Sequence, residues 1–363
     1  MLHIPNKADA SYPRQAGGFG ADMDTFASAL AGDGVVDGMG VSAQITPDMT
    51  VAVAGGLARI AGYYAYVAAQ NVTIAAADSS NPRFDLIVSD YNGTVSRVAG
   101  TAAAAAVPPA VPANSLQLAQ VYVPASVTAI TNAMIVDKRP TVVDFFDLSD
   151  DFTSQASVAS GGIGDLAWAL TAATGGTPAY QAAASAHPGV LRLVTGTASG
   201  NNQRLHLGAS ATGAPLLPAE IARVRMVVSI PTITSIAVKL GLGVDLSDAA
   251  AGSLGSAGAF VEFVPATSAK WRYTTRQAST STTNADTGAD VAAGTWYQLD
   301  IVRRQDGNWQ FAKNGVLAFT HSANQPTTAA NAGMLVHTLT TAARSLDIDF
   351  FGLNFKPLGN RWT

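Results

Sequence analysis

Hydrophobic and polar positions alternate most sharply in the last third of the chain. Residues 345–355, SLDIDFFGLNF, set Leu346, Ile348 and Phe350 against Asp347 and Asp349. That two-residue period belongs to a half-buried strand. Residues 295–320, TWYQLDIVRRQDGNWQFAKNGVLAFT, read as strands joined by a turn at Asp306-Gly307-Asn308 and a second at Asn314-Gly315. Asp-Gly and Asn-Gly between alternating runs signal hairpins, because the tight type I′ turn needs positive φ. Upstream, the same pattern places strands at 202–208, 221–230, 235–244, 258–264, 269–277 and 332–338. Many short strands with turn chemistry between them predict a two-sheet sandwich.

The first part of the chain reads differently. Phe19, Met23, Phe26, Ala27 and Leu30 follow helical spacing and Gly32 follows them, so a short amphipathic helix is expected in an arm at 1–40. Strands then crowd residues 41–76, with a hairpin expected at Gly55-Gly56. A second hairpin is expected at Asn92-Gly93, between 83–91 and 94–98. Residues 101–114, TAAAAAVPPAVPAN, form a proline-rich extended connector. Strands at 116–123 and 130–137 close the unit at Lys138-Arg139-Pro140. The expected domains are the arm at 1–40, a β-rich unit at 41–143, a linker at 144–160 and a sandwich at 161–363.

Two resemblances sharpen this division. The strand around Trp296, the hairpin running from Asp306 to Gly315 and the late LDIDFF strand together resemble concanavalin A-like jelly rolls. HPGVLRLVTG at 187–196 is similar to the opening of such domains in phage tail proteins. NPRFDLIV (81–88), the proline-rich bridge, LQLAQVYVP (116–124) and ITNAMIVDKR (130–139) resemble, in their order, the attachment region of tail and baseplate proteins of tailed bacteriophages. The resemblance implies a mostly β virion protein, made in the bacterial cytoplasm, with its N-terminal unit mounted among neighbouring tail or baseplate proteins. It also implies a homo-oligomer, most often a trimer, whose jelly roll binds host-surface polysaccharide. The alternatives are a purely architectural tail component and a polysaccharide depolymerase.

Composition constrains the chemistry. Charged residues make up 13% of the 363 residues, against about 25% in average soluble proteins. The net charge is −4 and the basic residues are scattered, with Arg303-Arg304 and Lys138-Arg139 as isolated pairs, which argues against a nucleic-acid partner. Cysteine is absent, so no disulfide and no thiolate metal site is available. The N-terminus lacks a signal-peptide pattern and no apolar run is long enough to insert into a membrane.

Enzymes that cleave glycans on a jelly roll use paired Glu residues on one strand, whereas the chain's two glutamates, Glu220 and Glu262, fall on different segments. Asp347 and Asp349 read as solvated carboxylates on an outer face. The five histidines, His3, His187, His206, His321 and His337, have no metal-binding spacing, and His187 before Pro188 reads as a turn residue. No catalytic residue, cofactor or metal is expected. Trp296, Trp309 and Phe311 are assigned to packing. In KWRYTTRQ, Trp271 and Tyr273 alternate with Arg272 and Arg276, so one face of this strand is aromatic and the other basic. The candidate glycan contacts are therefore Trp271 and Tyr273 as a stacking platform, or Arg272 and Arg276 with Glu262 as a polar groove. Trp362 is either a tail anchor or a partner contact.

Overall fold

The structure, a computed structural model, describes residues 32–142, 148–153, 163–166, 168–172, 176–182, 187–207, 216, 218–243, 257–278, 280–304, 306–327 and 331–355. The expected helix at 19–30, His3 and Trp362 lie outside them.

The N-terminal unit contains strands β1 (Gly34–Gly38), β2 (Val41–Ala43), β3 (Thr50–Val53), β4 (Gly56–Ile60), β5 (Tyr63–Val67), β6 (Gln70–Thr73), β7 (Arg83–Asp90), β8 (Val95–Val98), β9 (Ser115–Val123) and β10 (Ile135–Asp137). They form three antiparallel sheets, ordered β1-β4-β5, β2-β3-β6 and β10-β9-β7-β8. Their inward side chains, among them Val51, Val53, Ile60, Ile87, Leu118 and Val121, share one core. The Asn92-Gly93 hairpin forms as expected: Gly93 has φ +76°, and the Asp90 carboxylate accepts the backbone N–H groups of Asn92 and Thr94. The Gly55-Gly56 hairpin does not form. β3 pairs with β2 and β6, whereas β4 crosses to another sheet and pairs with β1 and β5. Backbone proximity explains the glycines there, since a Cβ on Gly56 would lie 2.2 Å from the Asp37 carbonyl oxygen. β1 also draws part of the expected arm into the unit.

The sandwich contains β11 (Leu148–Asp150), β12 (Ala169–Ala172), β13 (Ala179–Gln181), β14 (Val190–Val194), β15 (Asn202–His206), β16 (Ile221–Ser229), β17 (Ile236–Leu242), β18 (Gly258–Phe263), β19 (Arg272–Gln277), β20 (Thr280–Ala285), β21 (Trp296–Arg303), β22 (Trp309–Lys313), β23 (Val316–His321), β24 (Ala332–Thr338) and β25 (Ser345–Phe355). One sheet has eight strands, ordered β13-β14-β25-β16-β21-β22-β23, with β11 also pairing β25. The other has seven, ordered β12-β15-β24-β17-β18-β19-β20. Val224, Met226 and Val228 of the first sheet share a core with Ile236, Val238 and Leu240 of the second. The fold is mostly β and the C-terminal part is a jelly-roll sandwich. The turn at Asn314-Gly315 has both residues at positive φ, 51° and 78°, as its sequence requires.

Two expectations about the sandwich need correction. Leu148–Asp150 and Phe152 belong to it rather than to a linker: β11 pairs with β25, and Phe152 is buried in the core. In β25, Phe350 does not continue the inward row of Leu346 and Ile348. The register against β16 shifts between Val227 and Val228, leaving Asp349 as an extra residue, so Phe351 and Leu353 point inward instead.

The two units dock. Leu57, Tyr64 and Tyr66 pack on Ala222, Val302 and Ala312 of the eight-stranded sheet. β4 and β5 therefore bury both faces, which accounts for their nearly unbroken apolar character. The Gln310 side-chain amide imitates a neighbouring strand, accepting from the Tyr66 N–H at 2.9 Å and donating to the Tyr66 carbonyl at 3.0 Å. Beneath it the Asp300 carboxylate, fully buried, accepts from the Tyr66 hydroxyl (2.8 Å), Arg223 (2.9 Å), Arg225 (2.9 Å) and Gln298 (2.8 Å). Burial, and secondarily the Asp300 charge, push the Tyr66 hydroxyl far above its ordinary pKa, so it remains a donor.

Candidate functional site

With the N-terminal unit on the eight-stranded sheet, the outer face of the seven-stranded sheet is the surface turned away from it. Strand register defines this face. Arg204 of β15 lies opposite Leu335 of β24, which lies opposite Lys239 of β17. Lys239 is followed across the sheet by Glu262 of β18 and Arg272 of β19. The next row contains His206, Gly333, Gly241, Phe260, Thr274 and Thr283. Arg276 follows two residues after Thr274 on the same face of β19. Alternation explains the sorting: Ala259, Val261 and Phe263 enter the core between the sheets, so Phe260 and Glu262 lie on the other side of the sheet, where both are also buried.

The polar contacts on this face are specific. Arg272 lies 3.3 Å from Glu262, whose side chain is only 8% exposed. Arg276 donates to the Ser281 hydroxyl at 3.0 Å, while its Nε is buried with no acceptor. Thr274 and Thr283 hydroxyls bond at 2.9 Å across the last strand pair. In the middle, Gly241 and Gly333 lie directly opposite each other, both buried, and a Cβ on Gly241 would lie 2.7 Å from Ile301 of the core. Most of this side of the sheet is covered, with Arg204, His206, Lys239, Phe260, Glu262 and Thr274 each at most 6% exposed, and Arg272, Arg276 and Thr283 are its half-buried members.

Of the expected contacts, Arg272, Arg276 and Glu262 share this face. Trp271 and Tyr273 do not: both are fully buried in the core, Trp271 edge-on to Tyr297 at 5.6 Å and Tyr273 against Phe311 at 5.5 Å. The aromatic-platform alternative is thereby removed, because the strand turns its aromatic side toward the other sheet. Arg204, His206, Lys239 and His337 also lie on this face but come from strands distant in sequence. Their only local signal was a charged or imidazole side chain out of phase with the apolar row, as in AVKLGL.

The opposite face accounts for the remaining candidates. Asp347 is held by Arg192 through two bonds, 2.5 and 2.7 Å, and Asp349 is 3.0 Å from Nδ1 of His187. They are partnered carboxylates, not solvated ones. His187 is more than a turn residue, since its ring stacks on Trp296 at 4.1 Å. Trp296 is half-buried on this outer face rather than in the core, which contains Trp309 and Phe311 as expected. Asp150, Asp151 and Asp165 bring their carboxylates together. Asp150 is already engaged there, accepting from the N–H groups of Phe152 and Leu166 and from Trp168 Nε1.

The class defined by this architecture is a two-sheet jelly roll bearing an N-terminal β unit. A more particular relation comes from its C-terminal part: the family described as SO2946-like, C-terminal domain, matches residues 186–349, a span that opens beside His187 and closes on Asp349. No curated protein matches the chain. Among solved structures it is similar to a protein of unknown function, SO2946, from Shewanella oneidensis MR-1. That match has 15% identity and a TM-score of 0.40, covering 59% of this chain and 88% of that one. It is also similar to a Bacillus licheniformis beta-glucanase, with 10% identity and a TM-score of 0.38, covering 57% of this chain and 97% of that one. A third similar structure is the Emp46p carbohydrate recognition domain in its metal-free form, with 9% identity and a TM-score of 0.37, covering 52% and 87%. Among the described residues, no helix is long and apolar enough to cross a membrane.

Proposed function

We propose that this chain is a non-catalytic, glycan-binding structural protein of a phage tail tip, baseplate or fibre. The N-terminal unit mounts it on the virion. The outer face of the seven-stranded sheet meets the host-surface polysaccharide. The observation carrying this reading is the position of that face: it sets the half-buried Arg272, Arg276 and Thr283, with Glu262 paired to Arg272, on the side away from the docked N-terminal unit. Sugar hydroxyls and their substituents need such donors and acceptors at fixed positions.

Binding suits this face better than hydrolysis. Glycoside cleavage generally uses two carboxyl groups about 5 to 9.5 Å apart. Glu262 is the only carboxylate on this face among the described residues, and Arg272 engages it. Each copy would bind weakly, and assembly as a homotrimer would raise avidity by about 10²- to 10⁴-fold. The virion assignment rests on the resemblance of residues 81–139. A glycan array probed with the intact protein tests the binding. Retention of bacterial surface glycans, lost in Glu262→Gln combined with Arg272→Gln, supports the reading. Silence at high protein density overturns it in favour of a purely architectural role.

A further inference from the structure

A strand at the edge of a sheet presents unpaired N–H and C=O groups, and proteins blunt it by shortness, charge, proline or a bulge. Most edges of this chain are blunted. Strands β2, β10, β11 and β13 have three residues each, and β6, β8 and β12 have four. Bulges interrupt β1 and β23, and the Gln310 side chain caps β5. Among the described edges β20, Thr280–Ala285, is the exception: six residues in regular register with β19, without a charge or a proline. The Asp286 N–H bonds the Trp271 carbonyl, which fixes the phase of this ladder. In an antiparallel pair, alternate residues turn their backbone groups toward and away from the partner. Ser281, Thr283 and Ala285 therefore turn their N–H and C=O groups outward. None of these backbone groups has a partner among the described residues, and Ser281 and Ala285 are exposed.

We propose that β20 pairs edge to edge with β20 of a second copy of this chain, antiparallel, across a two-fold axis at Thr283. In that register Thr283 faces its own counterpart and Ser281 faces Ala285 of the second copy. Each facing pair exchanges two N–H···O=C bonds, and the two seven-stranded sheets become one. Composition favours the chain's own strand as occupant. Two copies of a chain with net charge −4 repel at long range, yet no like charges meet along TSTTNA. Its side chains are small and leave the backbones free to approach. The strand is also held in place beforehand: the Thr283 hydroxyl bonds that of Thr274, and Thr282 accepts from Asn324. Pairing therefore orders little that is not already ordered. One edge contact is small for a stable interface, so the pairing is weak and depends on concentration. Being two-fold, it is a contact separate from the homotrimer proposed above.

The test is amide hydrogen exchange of the full-length protein at Ser281, Thr283 and Ala285, from dilute to concentrated solution, with sedimentation on the same samples. These amides are expected to slow by about tenfold or more at high concentration, as the sedimenting mass doubles. Thr283→Pro removes an outward N–H that the β19 ladder does not use, a substitution that sheet edges tolerate. It is expected to abolish both the slowing and the doubling. Ser281→Lys with Ala285→Lys sets like charges opposite each other and should also abolish them, whereas Ser281→Lys with Ala285→Glu sets opposite charges and should restore them. Should the proline variant not fold, the two charge variants, which differ only at the exposed Ala285, decide the matter. Fast exchange at the three amides at every concentration overturns the inference, whatever the mass. Equal association of the two charge variants overturns the register. Slowing that appears only when a different protein is added overturns self-pairing in favour of a foreign strand.

Discussion

Asp300→Ala removes the carboxylate on which the junction between the two units converges. Asp300 and Arg223 are both fully buried, and the carboxylate accepts from Tyr66, Arg223, Arg225 and Gln298. Taking one partner from a buried ion pair costs about 3–5 kcal/mol, because the remaining charge loses its compensation without regaining water. Tyr66→Phe leaves that ion pair in place and removes the hydroxyl's bond to Asp300 with a longer one from Arg223 at 3.4 Å, the first costing about 1.5–3 kcal/mol. The apolar share of the junction is modest, with alanines supplying two of its six buried side chains. Loss of the polar centre should therefore uncouple the units. In urea, the wild type is expected to unfold in one transition. Asp300→Ala is expected to show two, with the N-terminal unit melting first and its protease sensitivity rising. In a double-mutant cycle, Tyr66→Phe and Asp300→Asn should couple by about 0.5–3 kcal/mol. Additive effects, or a loss below about 1 kcal/mol in Asp300→Ala with a single transition retained, would refute the claim that this network joins the units.

Further outcomes follow from the interior. Burial pulls His321 down to about 4 from its ordinary 6.5, while Thr275 receives its Nδ1 hydrogen. Its unfolded form takes up a proton first, so stability should fall as pH drops from about 6.5 to 4, by up to about 3 kcal/mol. His321→Gln should flatten the slope of unfolding midpoint against pH in that window, and an unchanged slope counts against it. The Tyr273 hydroxyl is buried without a partner, so Tyr273→Phe should hold or raise the midpoint, by up to about 1–3 kcal/mol. A clear loss in calorimetry would mean that the hydroxyl is satisfied. A Cβ on Gly100 would lie 1.9 Å from the Phe84 carbonyl oxygen. Gly100→Ala should therefore destabilise the β7 connection and raise amide exchange around Asp85, which accepts the Gly100 N–H. Wild-type exchange rates would contradict this.

Much of the fold was legible because strands announce themselves locally. Asn92-Gly93, Asp306-Gly307 and Asn314-Gly315 demand particular backbone angles, and each sits in its turn with glycine at positive φ. What escaped was non-local. Gly55-Gly56 looks like a hairpin, yet its strands separate into different sheets because β1, far upstream, supplies β4 with a better partner. Phe350 obeys the alternation of its own strand until a bulge, set by pairing with β16, reverses it. The KWRYTTRQ strand shows two chemically distinct faces, but a sequence cannot say which looks inward. The sandwich needed bulk at that position, so Trp271 and Tyr273 filled the core and Arg272 and Arg276 took the surface. Arg204 and Lys239 join them only through register across five strands.

Amide chemical-shift mapping of the folded protein titrated with oligosaccharides from a bacterial surface polysaccharide tests the central claim most directly. Shifts concentrated on β15, β24, β17, β18 and β19, with β16 and β21 silent, are the result this account predicts. Shifts centred on the His187, Trp296 and Asp349 surface of the eight-stranded sheet, or none at saturating sugar, would contradict it.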